Sequence, residues 1–272
     1  MNSKPFNPVL LKELKLRFRN AKSFSSLAFY LIALTIFILA FFVIVTDLSG
    51  NGYIQPNTSF ILFCSLTMLQ MGLLLFMAPA LTAGSISTER EKQTLNMLLT
   101  TTQTSLQIIV GKLTASLAFL VILLIATLPM YSILFLFGGV SPAMLGSVFL
   151  LLLLTVFTVG SVGILFSTVT KKTIVSMIST YGVSIFLAVF TAIFFAVGLV
   201  NSVGDKTEYF SYFWISLNPF AVALSVISPE IAIGIKEITQ LQLPPVVLYC
   251  IVYLLIGIIS LFIAIKKLRA TK

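Results

Sequence analysis

The chain contains no histidine, two cysteines and one tryptophan, and only 9% of its 272 residues are charged. Without histidine, imidazole general-base catalysis, haem ligation through His and HExxH metalloprotease chemistry are all excluded. Cys64 and Cys250 sit in long apolar runs. A thiol there behaves as a small hydrophobe, so neither a disulfide framework nor a metal site is expected. The shortage of charge has the widest consequence, because soluble domains carry about 25% charged residues. Here 58% of residues are hydrophobic and the mean hydropathy is +1.11. Too little polar surface remains to cover a water-facing core, which makes the chain an integral membrane protein.

Six uncharged apolar runs are present: Leu27–Val45, Phe60–Leu81, Leu113–Phe137, Met144–Phe166, Ile174–Val200 and Val246–Ile265. Each is long enough to cross a bilayer, which takes about 20 helical residues. Solid apolar runs exclude a barrel, whose strands alternate over about 10 residues. The first run starts deep in the chain without a small-residue cleavage site, so a removable signal peptide is not expected. None of the runs carries Asp, Glu, Lys or Arg. Paired carboxylates of the kind proton-coupled pumps hold in their spans are thus missing. No Walker A motif exists either; Val110-Gly111-Lys112-Leu113 lacks the first Gly and the hydroxyl residue after Lys. Energy for uphill transport would have to come from another subunit, or from an ion route without charged side chains.

What charge there is falls asymmetrically. Lys4, Lys12, Lys15, Arg17, Arg19 and Lys22 precede the first run. Arg90, Lys92 and Lys112 join the second to the third, Lys171 and Lys172 the fourth to the fifth. Lys266, Lys267, Arg269 and Lys272 end the chain, leaving only Lys206 and Lys236 on the other side. The positive-inside rule then predicts a multi-pass protein of the cell membrane with both termini in the cytoplasm. Asp47, Asp205, Glu208, Glu230 and Glu237 are expected outside. The net charge of +9 is therefore a topology signal, with no nucleic-acid partner implied.

Before the first span, residues 1–24 have helical periodicity. Leu11, Leu14 and Phe18 share one stripe; Lys12, Lys15 and Arg19 share another, with Glu13 between them. Asn7 suits an N-cap and Pro8 the first helical position. The segment fits a helix lying in the headgroup plane against membrane lipid, or a plain basic flank that orients the first span. Residues 201–245 form a longer outer segment, aromatic from Tyr209 to Phe220. Counting it as a seventh span would push the basic tail outside, so it is read as re-entrant or interfacial, broken at Asn218-Pro219, with Trp214 at headgroup depth.

Inside the spans, Gln70 is the candidate pathway residue; its amide is able to face a pathway or to bond across packed helices. Gly160, Gly163 and Ser167 recur at helical spacing and are read as a close-packing face.

Ser87–Thr101 is a charged, helix-competent stretch between apolar runs, in the loop 84–112. Thr88 and Glu91 have capping-box spacing, and Glu89 and Glu91 suit the positive end of a helix. With Leu95, Leu98 and Leu99 as an apolar ridge, a helix of about three turns roughly parallel to the membrane is expected. The alternative is a solvated loop that happens to be helical.

Thr88-Glu89-Arg90-Glu91, Thr94-Leu95, Leu98-Leu99-Thr100-Thr101 and Gly111-Lys112 follow the second span in this order, after an opening Asn7-Pro8…Lys12-Glu13 and before an outer Asn218-Pro219. In this arrangement the whole chain resembles the ABC-2 type permease family, the transmembrane subunits of ATP-binding-cassette exporters. The resemblance implies one transmembrane domain over 1–272, all-α, with six spans. It implies that the loop helix, carrying Thr88, Glu89, Arg90, Glu91, Leu95, Leu98 and Leu99, is a coupling helix that docks on an ATPase subunit. It implies that the amino-terminal connecting helix, with Lys12, Glu13, Lys15 and Arg19, touches the same subunit. ATP and Mg would be bound by that partner, leaving no cofactor and no catalysis in this chain. A second permease chain, identical or different, would complete the pathway. The aromatic outer segment and apolar spans suggest a hydrophobic or amphipathic cargo such as a peptide, lipid or drug. Relatives more often carry Gly where Gln93 stands, and Gln is expected to make the helix start firmer. The competing function is a non-transporting membrane scaffold or sensor that recruits a cytosolic protein through the same helix.

Overall fold

A computed structural model describes residues 10, 13–15, 21–49, 56–95, 103–200, 206–239 and 243–270. Every regular element among the described residues is helical. In chain order they are α1 (Ala21–Ser49), α2 (Pro56–Thr82), the short α3 (Ser87–Glu91), α4 (Ser105–Phe137) and α5 (Pro142–Val169). There follow α6 (Thr173–Ile185), a π-helical turn (Phe186–Phe190) and α7 (Thr191–Val200), which together make one span. Then come α8 (Lys206–Leu217), α9 (Pro219–Ile227), α10 (Pro229–Thr239) and α11 (Pro245–Ala270). Among the described residues six helices are long and apolar enough to cross a membrane, matching the six apolar runs, and the bent pair α8–α9 passes the same test only if taken as one span.

The bundle is built around α4 and α5. In their most apolar windows 61% and 67% of residues are buried, against 17% for α1 and 22% for α11, whose outer faces are left for lipid. Lipid is as apolar as a leucine side chain, so helix contact here rests on close packing and internal hydrogen bonds. Both are visible. A Cβ on Gly257 of α11 would lie 2.6 Å from the Phe157 ring of α5. Thr155 and Tyr249 share a hydroxyl bond of 2.7 Å, and Thr158 Oγ1 donates to the Tyr253 carbonyl at 3.0 Å. Between α2 and α5 the glycine face is real: a Cβ at Gly163 would stand 2.9 Å from Thr82 Cβ and closer still to its hydroxyl.

Gln70 is wholly buried between α2 and α4. Its Nε2 donates to Thr127 Oγ1 at 3.0 Å, and its Oε1 accepts from the Tyr131 hydroxyl, which also lies 3.5 Å from Thr67 Oγ1. Within this chain the amide faces the interhelical core.

The outer segment dips back toward the bundle centre. α8 runs antiparallel to α7 so closely that a Cβ on Gly198 would overlap the Ser211 hydroxyl. At the end of α8 the chain turns by 90° into α9. Asn218 makes that corner: Oδ1 caps α9 by accepting from the Phe220 and Ala221 N–H groups at 2.9 and 3.0 Å, and Pro219 occupies the first helical position. Its Nδ2 donates to the Ala188 carbonyl at 2.8 Å and to Thr191 Oγ1 at 2.9 Å. Thr191 lies nine residues before the end of α7, so the corner sits about 14 Å below that end at 1.5 Å per residue. Trp214 packs against Phe186 and Phe194 at the same level. α8 thus runs beside α7 instead of lying across its end.

Candidate functional site

The loop between α2 and α4 is held by side chains drawn from five elements. α3 is an extension of α2. Through the turn Ala83–Ile86 the helical run continues from Asn57 to Glu91, with Thr88 N–H already bonded to the Gly84 carbonyl at 3.2 Å. Thr88 is therefore the second residue of α3 and not its N-cap, and no side chain of α3 caps the helix. This corrects the Thr88/Glu91 capping box. A capping box does occur, at Thr104 and Gln107, where the two side chains and backbones bond reciprocally at the start of α4.

The acceptor for the first turn of α3 comes from a distant part of the chain. Ser167, near the end of α5, accepts from the Ile86 and Ser87 N–H groups at 2.8 and 2.9 Å. Ser167 was read as a packing residue; its hydroxyl instead caps another helix, on ground that Gly160 and Gly163 clear by letting α5 approach α2.

All five residues of α3 are polar; Ser87 meets Ser167, and the other four each reach a further neighbour. Thr88 Oγ1 lies 3.3 Å from Thr173 Oγ1. Glu89 bonds Lys112 at 2.7 Å, and Lys112 also bonds Glu13 of the amino-terminal segment at 2.9 Å. Lys112 is only 4% exposed, so its ammonium is neutralised where water scarcely reaches it. Arg90 spreads its guanidinium over the end of α5, donating to the Thr170 and Thr168 carbonyls at 2.9 Å each. Glu91 takes the start of α6, accepting from the Thr173 N–H and hydroxyl at 2.8 Å each. Those two bonds, the backbone one first, hold the Glu91 carboxyl below its ordinary value, and the Lys172 charge adds to them.

The helix ends in a Schellman motif. Thr94 N–H bonds the Glu89 carbonyl at 2.9 Å and Gln93 N–H the Arg90 carbonyl at 3.1 Å, with Gln93 at φ +58°. Glycine is the usual residue at this left-handed position. Gln93 thus sits at the helix end and not at its start, which corrects the firmer start expected of it. The helix is interrupted at Lys92–Thr94, so the single three-turn helix over Glu89–Leu99 is also corrected. Leu95 is buried with Ile86, Ile108, Leu113, Ile164 and Leu268 in a small apolar cluster at this end of the bundle. Glu91, Lys92, Gln93 and Thr94 are exposed. Lys15 is exposed as well, while Leu98, Leu99, Lys12 and Arg19 lie outside the described residues, as do Asn7 and Pro8.

Among the described polar residues of the loop site, the sequence reading assigns Ser167 only a packing role and no role to Thr168, Thr170 and Thr173. Their only local signal is the position of hydroxyl residues on either side of Lys171-Lys172.

A family model described as ABC-2 family transporter protein matches residues 70–265. No curated protein matches the chain in a sequence comparison.

Proposed function

The chain belongs to the ABC-2 family of transporter proteins, and on that premise we propose that it is the permease subunit of an exporter driven by a separate ATPase. The observation that carries this reading is the family match itself, which runs from the middle of α2 through the loop site to the end of α11. The chain has no phosphate-binding loop of its own, so ATP and Mg belong to the partner subunit. In this reading the loop and the amino-terminal segment face the cytoplasm with both termini, and the exposed Lys92–Thr94 tip of the loop meets the ATPase. A second copy or a related permease completes the pathway, with the outer faces of the spans against lipid.

The cargo is hydrophobic or amphipathic. Support comes from a groove of about 500 Å³ between α2, the α6–π-turn segment and Phe220 of α9. Leu75, Phe76, Ile185 and Val189 line it. Its two hydroxyl side chains are already engaged: Tyr181 donates to the Phe76 carbonyl and Ser184 to that of Thr180. A polar solute would find few partners there, whereas the size suits small-molecule sites of about 300–1,000 Å³.

Purification of the intact complex from membranes tests the assignment. An ATP-hydrolysing subunit should co-purify, and its turnover should respond to amphipathic peptides, lipids or apolar drugs. A chain that purifies with no such subunit refutes the permease reading. Turnover that ignores every amphipathic compound but responds to a polar solute refutes the cargo reading alone.

A further inference from the structure

We propose that Arg90 and Glu91 are positioning residues that carry movement of the loop into the turn between α5 and α6, so that the fourth and fifth spans move with the loop. The inference rests on the permease reading.

Only Thr170, Lys171 and Lys172 separate α5 from α6. Two adjacent side chains of α3 grip the two sides of this turn. The Arg90 guanidinium covers the last carbonyls of α5, where a helix is negative, and the Glu91 carboxylate covers the first N–H of α6, where a helix is positive. Each grip has two bonds, and a two-point, charge-assisted contact resists rotation in a way a single bond does not. Ser167 closes the ring from the other side, since the end of α5 caps α3 while α3 caps α5 and α6. Toward α4 the loop is held by the Glu89–Lys112 pair and by the packing of Ile86 and Leu95 on Ile108 and Leu113. A force applied to the exposed residues Lys92–Thr94 therefore reaches the α5–α6 turn directly through both grips.

The test uses the full complex with its ATPase in lipid nanodiscs. The chain carries Cys64→Ala and Cys250→Ala, with spin labels at Lys171→Cys in the turn and Lys266→Cys on α11. The Lys171–Lys266 distance distribution is measured without nucleotide and after trapping with ATP and vanadate. In the parent the distribution shifts on trapping. With Arg90→Ala and Glu91→Ala together the shift is lost in folded complex that still traps nucleotide. If that pair does not fold, Arg90→Lys and Glu91→Gln take its place. Each keeps only part of its grip and should give a reduced shift. A merely structural role would lower the unfolding temperature and leave the shift in the folded fraction intact. An undiminished shift in the variants, or no shift in a parent that hydrolyses ATP, overturns the inference while leaving the permease reading standing. Absence of any ATPase in the complex refutes the permease reading, and the inference falls with it.

Discussion

Replacing Ser167 by alanine removes one buried oxygen and leaves two buried N–H groups, those of Ile86 and Ser87, without their acceptor. An unsatisfied buried donor costs about 1–3 kcal/mol, so with some relaxation the pair is worth about 2–4 kcal/mol. The remaining contacts of α3, through Arg90, Glu91 and Glu89, stay in place, and the cost should appear as local opening rather than global unfolding. At about 1.4 kcal/mol per tenfold, hydrogen exchange of the loop amides should quicken by roughly 30- to 1,000-fold. Exchange followed by mass spectrometry in nanodiscs reads this on the peptide covering residues 83–92, with the middle of α2 and α5 as internal standards. Ser167→Cys, a weaker acceptor of similar size, should fall between the parent and the alanine variant. An increase below about threefold, worth about 0.6 kcal/mol, would show that the hydroxyl does not hold the helix. Faster exchange spread evenly along α2 and α5 would also refute the reasoning, because it would mean general loosening of the bundle.

Gly163→Ala should destabilise the bundle by about 1–3 kcal/mol through overpacking, since its Cβ would overlap the Thr82 hydroxyl. Thr82→Ala should restore part of that loss, read as a recovered unfolding temperature in detergent. Asn218→Ala should cost about 1–2 kcal/mol from the lost cap alone. Asn218→Ser keeps a cap acceptor for α9 but loses the amide donations to α7 and the π-turn, so its smaller loss of unfolding temperature separates the two roles. Gln93→Gly should stabilise the loop by about 1 kcal/mol by relieving a left-handed residue, seen as slower exchange of the Thr94 amide. Because Glu91 has a lowered carboxyl pKa, its grip on α6 is present above the ordinary carboxylate value of 4.5 and is lost as pH falls through the lowered one. A spin label at Lys171→Cys should become more mobile on that acid side, and Glu91→Gln should show no such pH dependence.

The six spans were legible because the bilayer imposes one simple demand, about 20 apolar residues without charge, and every run meets it. Helix ends were harder to place. The fourth span closes at Val169 and the fifth opens at Thr173, around a turn that Lys171-Lys172 marks plainly. The third span begins at Ser105, eight residues before its uncharged run, since Lys112 is tolerated inside the helix once Glu13 and Glu89 neutralise it. The break in the outer segment was legible at Asn218-Pro219 because an N-cap followed by proline is a local signal. Its packing along α7 was not, since it depends on Gly198 admitting Ser211 and on Asn218 reaching the Ala188 carbonyl.

The loop shows where local rules stop. Thr88-x-x-Glu91 and Thr104-x-x-Gln107 both have capping-box spacing, yet only the second caps a helix. The difference lies in what precedes each pair. Gly84 already supplies an acceptor to the Thr88 N–H and Ser167 caps the start of α3, so the Thr88 side chain has no cap left to make. Glu91 is then released from its own backbone and meets the nearest uncapped helix, which begins at Thr173, 82 residues on. The same logic accounts for Arg90 and Ser167. An exposed ion pair on a loop contributes little, about 0–1 kcal/mol, whereas a charge set against the bare end of a neighbouring helix meets both a partial charge and orphaned hydrogen-bonding groups. Charges that look in sequence like a surface offered to another protein are therefore used first by the chain itself. Beyond Glu91, the α3 turn leaves Lys92, Gln93 and Thr94 in solvent, at a tip whose backbone is pinned by the bonds from Thr94 and Gln93 to Glu89 and Arg90. A partner that pushes on this tip meets a short, firmly seated lever, and the residues that make it firm point away from the partner.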